Sequence, residues 1–166
     1  MDFLTDLESC IPSLRRYARA LLRDGERADD LVQDCLERAL SRRHLWRGGP
    51  TLRPWLFRIM HNLHANQARA WSTRPRHDPI EEAALPPIDE SQTAHLALGE
   101  MAKALGSLPQ EQARVVLLVA LEGLSYQEVA EILDVPVGTV MSRLSRARER
   151  LRALLSADGT VLRRVK

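Results

Sequence analysis

Aromatic residues are scarce: two Phe, two Tyr and three Trp make up 4% of the 166 positions. With Leu, Ala, Arg and Glu plentiful, that scarcity favours helix over strand-rich classes, which lean on aromatic and β-branched side chains. Cysteine is scarcer still. Cys10 and Cys35 have neither the paired spacing of a zinc site nor the density of a disulfide scaffold, so buried, reduced thiols are expected. No apolar run approaches the ~20 residues a membrane-spanning helix needs. The opening Met1-Asp2-Phe3-Leu4-Thr5-Asp6 lacks the basic start of a signal peptide, so a cytoplasmic protein without membrane insertion is expected. There is no Gly-rich phosphate loop, no Ser/His/Asp arrangement and no plausible carboxylate dyad. His61 and His64 stand at i and i+3 with no third ligand nearby in the sequence, which argues against a metal. A non-catalytic chain with no cofactor is the expectation.

What is present is soluble and globular in composition, 45% hydrophobic and 28% charged. The net charge of +2 hides a strong asymmetry. Residues 1–76 carry 14 Arg against 9 acids, residues 77–124 carry 2 bases against 8 acids, and residues 125–166 carry 8 bases against 5 acids. Two basic ends around an acidic middle suggest two separate polyanion-facing modules.

Apolar spacing predicts helices over 3–23, 26–42, 52–71, 92–105, 109–121, 125–133 and 137–155. In the first, Leu7, Ile11, Leu14 and Ala18 line one side. In the second, Leu31, Val32, Cys35, Leu36 and Ala39 point inward. The third tolerates Pro54 in its first turn and has a core stripe of Trp55, Leu56, Ile59 and Leu63. Ser107 is a credible cap ahead of Pro109. Between 73 and 91 periodicity vanishes, and Pro75, Pro79, Pro86 and Pro87 among acids read as an extended linker. The expected class is all-α: a helical domain over 1–72, the linker over 73–91, a second helical domain over 92–157 and a basic tail over 158–166.

The segment 124–151 is a helix-turn-helix by its local chemistry. Ser125 caps the first helix and Glu128 completes a capping box. Ala130 is small where a second helix must cross closely, and Asp134 tolerates the left-handed turn conformation. Pro136 cannot continue the first helix. In the second helix Val140, Leu144, Ala147, Leu151 and Leu154 share a stripe, with Thr139, Ser142, Arg143, Arg146 and Arg150 roughly opposite. Hydroxyls mixed with guanidinium groups suit a helix entering the major groove. Periodicity alone leaves a merely solvated basic face equally open; the turn, caps and small crossing residue together favour DNA. Leu124-Ser125-Tyr126-Gln127-Glu128-Val129-Ala130-Glu131-Ile132-Leu133, followed by Val135-Pro136-Val137-Gly138-Thr139-Val140-Met141-Ser142-Arg143-Leu144-Ser145-Arg146-Ala147-Arg148, resembles region 4 of bacterial extracytoplasmic-function sigma factors. The resemblance implies that this helix reads the −35 promoter element through Ser142, Arg143, Arg146 and Arg150, with Thr139 near phosphates. Met141 stands where the family usually carries Lys or Arg, so the helix departs from the family's pattern by one polar side chain.

The first module decides between regulator types. Ala28-Asp29-Asp30-Leu31-Val32-Gln33-Asp34-Cys35-Leu36-Glu37 clusters Asp30, Gln33, Asp34 and Glu37 on one face. Clustered acids repel one another, which suggests a basic protein partner, although a solvated face remains open on spacing alone. The stretch is similar to sigma region 2.2. The similarity implies docking on the β′ clamp helices of core RNA polymerase by Asp30, Leu31, Gln33, Asp34 and Glu37. In the third helix Arg58, Asn62, Ala65 and Arg69 share a stripe that could admit a nucleic-acid strand. Leu52-Arg53-Pro54-Trp55-Leu56-Phe57-Arg58-Ile59-Met60-His61-Asn62-Leu63 looks like sigma regions 2.3 and 2.4. That likeness implies −10 recognition and opening, with Trp46, Arg58, Asn62, Asn66 and Arg69 on the DNA and one base extruded, at a few kcal/mol.

The resemblance thus implies a sigma factor bound by core polymerase (β′ and β) and promoter DNA, and restrained by an anti-sigma protein. Two other classes are weighed beside it. An autonomous helix-turn-helix regulator leaves the Asp30/Gln33/Asp34 face unexplained. A metal nuclease built on Asp30 and Asp34 lacks a general base nearby.

Overall fold

Leu7, Cys10, Leu14 and Ala18 follow one another at three- and four-residue steps, and with Ser13 and Tyr17 beside them they are the residues that α1 (Phe3–Leu22) buries. The computed structural model describes the backbone over 2–49, 51–72 and 92–157, and side chains over 2–49, 51–69 and 98–156. Arg23 ends α1 in the left-handed conformation (φ 56°), its N–H bonding to the Arg19 carbonyl at 2.9 Å. Asp24 then accepts from the Arg27 N–H at 3.0 Å and caps α2 (Gly25–Ser41), which buries Ala28, Leu31, Val32, Cys35 and Ala39. A 3₁₀ turn (Arg43–Leu45) and Gly48, at φ 79°, lead the chain towards α3 (Arg53–Ser72). The three helices pack α1 on α2 and α2 on α3. Tyr17 and Phe57 meet edge to face at the centre, 5.2 Å between ring centroids.

The buried stripe of α3 is rotated from the expected one. Leu52, Leu56, Phe57, Met60 and His64 are buried, whereas Trp55, Ile59 and Leu63 are only half-buried. The reason is tertiary: α3 is covered by α2 and also by α6 of the second module, Phe57 meets Tyr17 of α1, and His64 meets Arg114 of α5.

In the second module α4 (Gln92–Gly106), α5 (Gln110–Val116) and α6 (Tyr126–Leu133) all pack on α7 (Val137–Ala157). Between α5 and α6 the chain makes a wider, π-helical turn over Leu117–Leu121, closed by the Glu122 N–H on the Leu117 carbonyl at 3.0 Å. Ser107 does not cap α5. Its hydroxyl donates to the Lys103 carbonyl at 3.0 Å and finishes α4 instead, while Pro109 occupies the cap position without a side-chain bond. A hydroxyl one turn from the last carbonyls of a helix finds an acceptor there before it meets the next helix.

All described elements are helical, as expected. The two modules do not stand apart, however: α3 packs on α6, and α1 on the π-helical turn. The linker over 73–91 and the tail over 158–166 lie outside the described residues.

Candidate nucleic-acid interface

The capping box forms as the sequence requires. Ser125 Oγ accepts from the Glu128 N–H at 3.3 Å, and the Glu128 carboxylate accepts from the Ser125 N–H at 2.8 Å. Asp134 takes the left-handed conformation at φ 54°, and α7 follows. Val140, Leu144 and Ala147 of α7 are buried against the rest of the module, and Ala130 of α6 is buried too.

The polar side of α7 is divided. Arg146 and Arg150 are exposed, whereas Thr139, Ser142 and Arg143 are half-buried. The Ser142 hydroxyl donates to the Thr139 carbonyl at 3.1 Å, and Arg143 reaches Glu111 at 3.2 Å. The Arg143 guanidinium is therefore already engaged by a carboxylate of its own module. A second exposed edge of α7, absent from the predicted set, carries Met141, Ser145, Arg148 and Arg152, which with Tyr126 border a shallow groove of about 260 Å³. Met141 is 53% exposed, so an apolar side chain sits among these polar ones.

On α2, Asp30, Gln33, Asp34 and Glu37 are all exposed on one side, and Asp34 accepts from Gln67 Nε2 of α3 at 3.1 Å. Leu31 does not belong to that face. It is fully buried, because the turn of the helix that exposes Asp30 and Asp34 carries Leu31 into the core, and a side chain there cannot touch a partner.

On α3, Arg58, Asn62, Asn66 and Arg69 are exposed and Ala65 is half-buried. Trp46 is half-buried, its ring 5.7 Å from Trp55, and Trp55 in turn lies 6.3 Å from Phe3. A ladder of three rings thus supports Trp46 beside the N-terminal end of α3.

His64 is not poised as a ligand. It is buried, and Arg114 Nη2 donates to its Nδ1 at 2.9 Å. Burial first, then the Arg114 cation, lowers both His61 and His64 to about 4, so both rings are neutral at physiological pH. Burial also pushes the Cys35 thiol up to about 12 and raises Cys10, which makes both thiols poor nucleophiles. No group of three metal-binding side chains occurs among the described residues.

Sequence reasoning missed the residues that join the modules. The Glu122 carboxylate, fully buried, accepts from Arg16 Nε at 2.9 Å and Nη2 at 2.8 Å, from Arg53 Nη2 at 2.9 Å and from the Ser13 hydroxyl. A signal was available: Glu122 is a lone acid ending the apolar run that starts at Val115.

Comparison with known proteins agrees with this division. Residues 7–61 match the family described as Sigma2 domain of PhyR, and residues 98–151 match Sigma-70, region 4. The ECF RNA polymerase sigma factor EcfG of Rhodopseudomonas palustris (strain TIE-1) is 40% identical over 154 residues, 93% of this chain and 85% of the relative. The chain belongs to the ECF sigma factors. The ECF sigma-E factor of Escherichia coli (strain K12) is 33% identical over 72% of this sigma factor and 69% of its own length. Among solved structures, the sigma factor RpoE of Bartonella quintana, in complex with the anti-sigma factor NepR, superposes with a TM-score of 0.81 at 34% identity, covering 95% of this chain and 98% of that one. As an ECF sigma factor the protein directs promoter-specific transcription by RNA polymerase. No helix among the described residues is long and apolar enough to cross a membrane.

Proposed function

We propose that this sigma factor works as a non-catalytic specificity subunit with three separate contact faces. The exposed side of α2, with Asp30, Gln33, Asp34 and Glu37, docks on the basic β′ clamp helices of core polymerase. Helix α7 anchors the −35 element through Arg143, Arg146 and Arg150, with Thr139 and Ser142 near the helix N-terminus where phosphates are favoured. Helix α3 recognises and opens the −10 element through Arg58, Asn62, Asn66 and Arg69, with Trp46 as an aromatic edge beside the strand. The corresponding units are 1–72 for docking and −10 opening and 92–157 for −35 recognition, joined by the acidic stretch 73–91. An anti-sigma protein is the expected restraint, by analogy with the NepR-bound relative.

The observation that carries this reading is the separation of faces on the first module. Acidic Asp30, Asp34 and Glu37, with the amide of Gln33 among them, are exposed on α2, basic Arg58 and Arg69 are exposed on α3, and both helices share one buried core. A protein-facing surface and a DNA-facing surface on one small bundle is what a polymerase-bound DNA reader needs, and an autonomous repressor would have no use for the first. The test is transcription in vitro with purified core enzyme and a promoter library. Promoter-specific initiation, lost in Asp30→Lys/Asp34→Lys, is expected. Absence of specific initiation by the unmodified chain would sink the proposal.

A further inference from the structure

A long apolar side chain left in water needs a reason, and α7 carries one where the helix is otherwise polar. Met141 is 53% exposed. Val140 and Leu144, in the same turns, are buried, so the core is within one residue's reach and Met141 still points away from it. Ser145, Arg148 and Arg152 follow Met141 at four, seven and eleven residues, the spacing of one helix edge. With Glu149 and with Tyr126 of α6 they line the shallow groove that Met141 borders. An apolar chain thus stands at the N-terminal end of an edge made of hydroxyl and guanidinium groups.

The polar groups closest to it in the chain are already committed. The Ser142 hydroxyl donates to the Thr139 carbonyl at 3.1 Å, and Arg143 is held by Glu111 at 3.2 Å. Gly138 stands one turn before Met141. A Cβ there would meet nothing within 4 Å, so no packing within the chain requires this glycine, which weakens the helix. What the missing side chain does is leave the helix surface low beside Met141, where another surface can come close. Arg146 and Arg150, exposed on the same helix, supply the charge that draws a polyanion there. A helix docked in the major groove meets base edges with its N-terminal turns, and Met141 lies in those turns.

We propose, resting on the reading of α7 as the −35 helix, that Met141 is a specificity-determining residue: it reads the C5-methyl group of a thymine by apolar contact. In the major groove thymine presents a methyl, whereas cytosine presents an amino donor. The thioether chain is unbranched and polarisable, so it shapes itself to a methyl, and its sulfur is only a weak acceptor. A G·C pair at that step leaves the cytosine amino group, or guanine O6 and N7, against an apolar chain, stripped of water without a replacement. The −35 element of this sigma factor therefore contains an A·T pair facing Met141, chosen by one methyl rather than by a bidentate hydrogen bond. The flanking arginines position the helix on phosphates and take no part in that choice.

The experiment starts from the promoters that holoenzyme, assembled from core enzyme and the full chain, selects from the library. In a selected promoter each thymine of the −35 element, on either strand, is replaced singly by deoxyuridine, which removes the methyl and leaves pairing unchanged. Holoenzyme binding to each duplex is followed by fluorescence anisotropy for the parent chain, Met141→Ala and Met141→Leu. Met141 is exposed, so both variants are expected to keep the parent's helix content, checked by far-UV circular dichroism. The expected result is a loss of about fourfold at one thymine, the ratio for uncovering one methyl. That loss vanishes in Met141→Ala and persists in Met141→Leu, which keeps an apolar chain of similar volume. A −35 element without an A·T pair, indifference to every methyl, or equal sensitivity in Met141→Ala overturns the assignment while α7 is still the −35 helix. If the selected promoters share no −35 sequence at all, it is the reading of α7 that falls, and the assignment with it.

Discussion

At the level of single residues, the difference between Leu31 and its neighbours is the difference between core and contact. Leu31→Ala is expected to cost about 2–5 kcal/mol of stability, measured by urea unfolding, because a buried methyl cluster is lost and only partly refilled. Asp30→Ala, exposed and one position away, is expected to change stability by no more than about 0.5 kcal/mol while weakening binding to core polymerase in a fluorescence titration. If Asp30→Ala unfolds the chain, or leaves polymerase affinity unchanged, the assignment of that face is wrong. Which of two adjacent residues faced inward was legible at this scale, since both obey the helical period. That Leu31 could not also serve a partner became plain only from its complete burial.

At the scale of the element, the helix-turn-helix is governed by short-range chemistry. Ser125→Ala removes the acceptor for the Glu128 N–H and is expected to lower the stability of the protein by about 1 kcal/mol, visible as a reduced melting temperature. The pairing of Arg143 with Glu111 makes a different prediction for α7. Glu111 is mostly exposed, so the pair is weak, and Glu111→Ala is expected to strengthen binding to −35 duplex by at most about fivefold in an anisotropy assay. A loss of affinity would mean that Glu111 positions Arg143 rather than competing for it. The cap, the left-handed Asp134 and the run of α7 were readable because each depends on atoms within four residues. The rotation of α3 was not, since Phe57 packs on Tyr17 of α1 and His64 meets Arg114 of α5, 50 positions away along the chain.

Over the whole molecule, the packed histidines tie stability to pH. His61 and His64 are lowered to about 4 in the packed chain against 6.5 when free, held down by burial and by Arg114, with the charges of His61 and then Arg27 adding to the effect on His64. Between those values the unfolded chain takes up protons that the packed chain refuses. Stability is therefore fully present above pH 6.5 and lost as pH falls through the window towards 4, by about 1.4 kcal/mol per pH unit for each histidine at the steepest. Thermal melts should show a lower transition at pH 5 than at pH 7.5, with a shallower difference in His64→Gln. Equal slopes in the two proteins would show that His64 is not responsible.

Composition, periodicity and local capping determined by themselves that the chain is helical, that its second module is a helix-turn-helix, and that α2 and α3 expose acidic and basic faces respectively. Those features follow from one residue's relation to its near neighbours in the chain. Only the tertiary structure decided that the modules close on each other, and that Glu122, His64 and Arg53 mediate the closure. Ser13 and Glu122 are 109 positions apart. Nothing in a helical period carries that distance, because the pairing depends on how two finished surfaces complement each other in charge and shape.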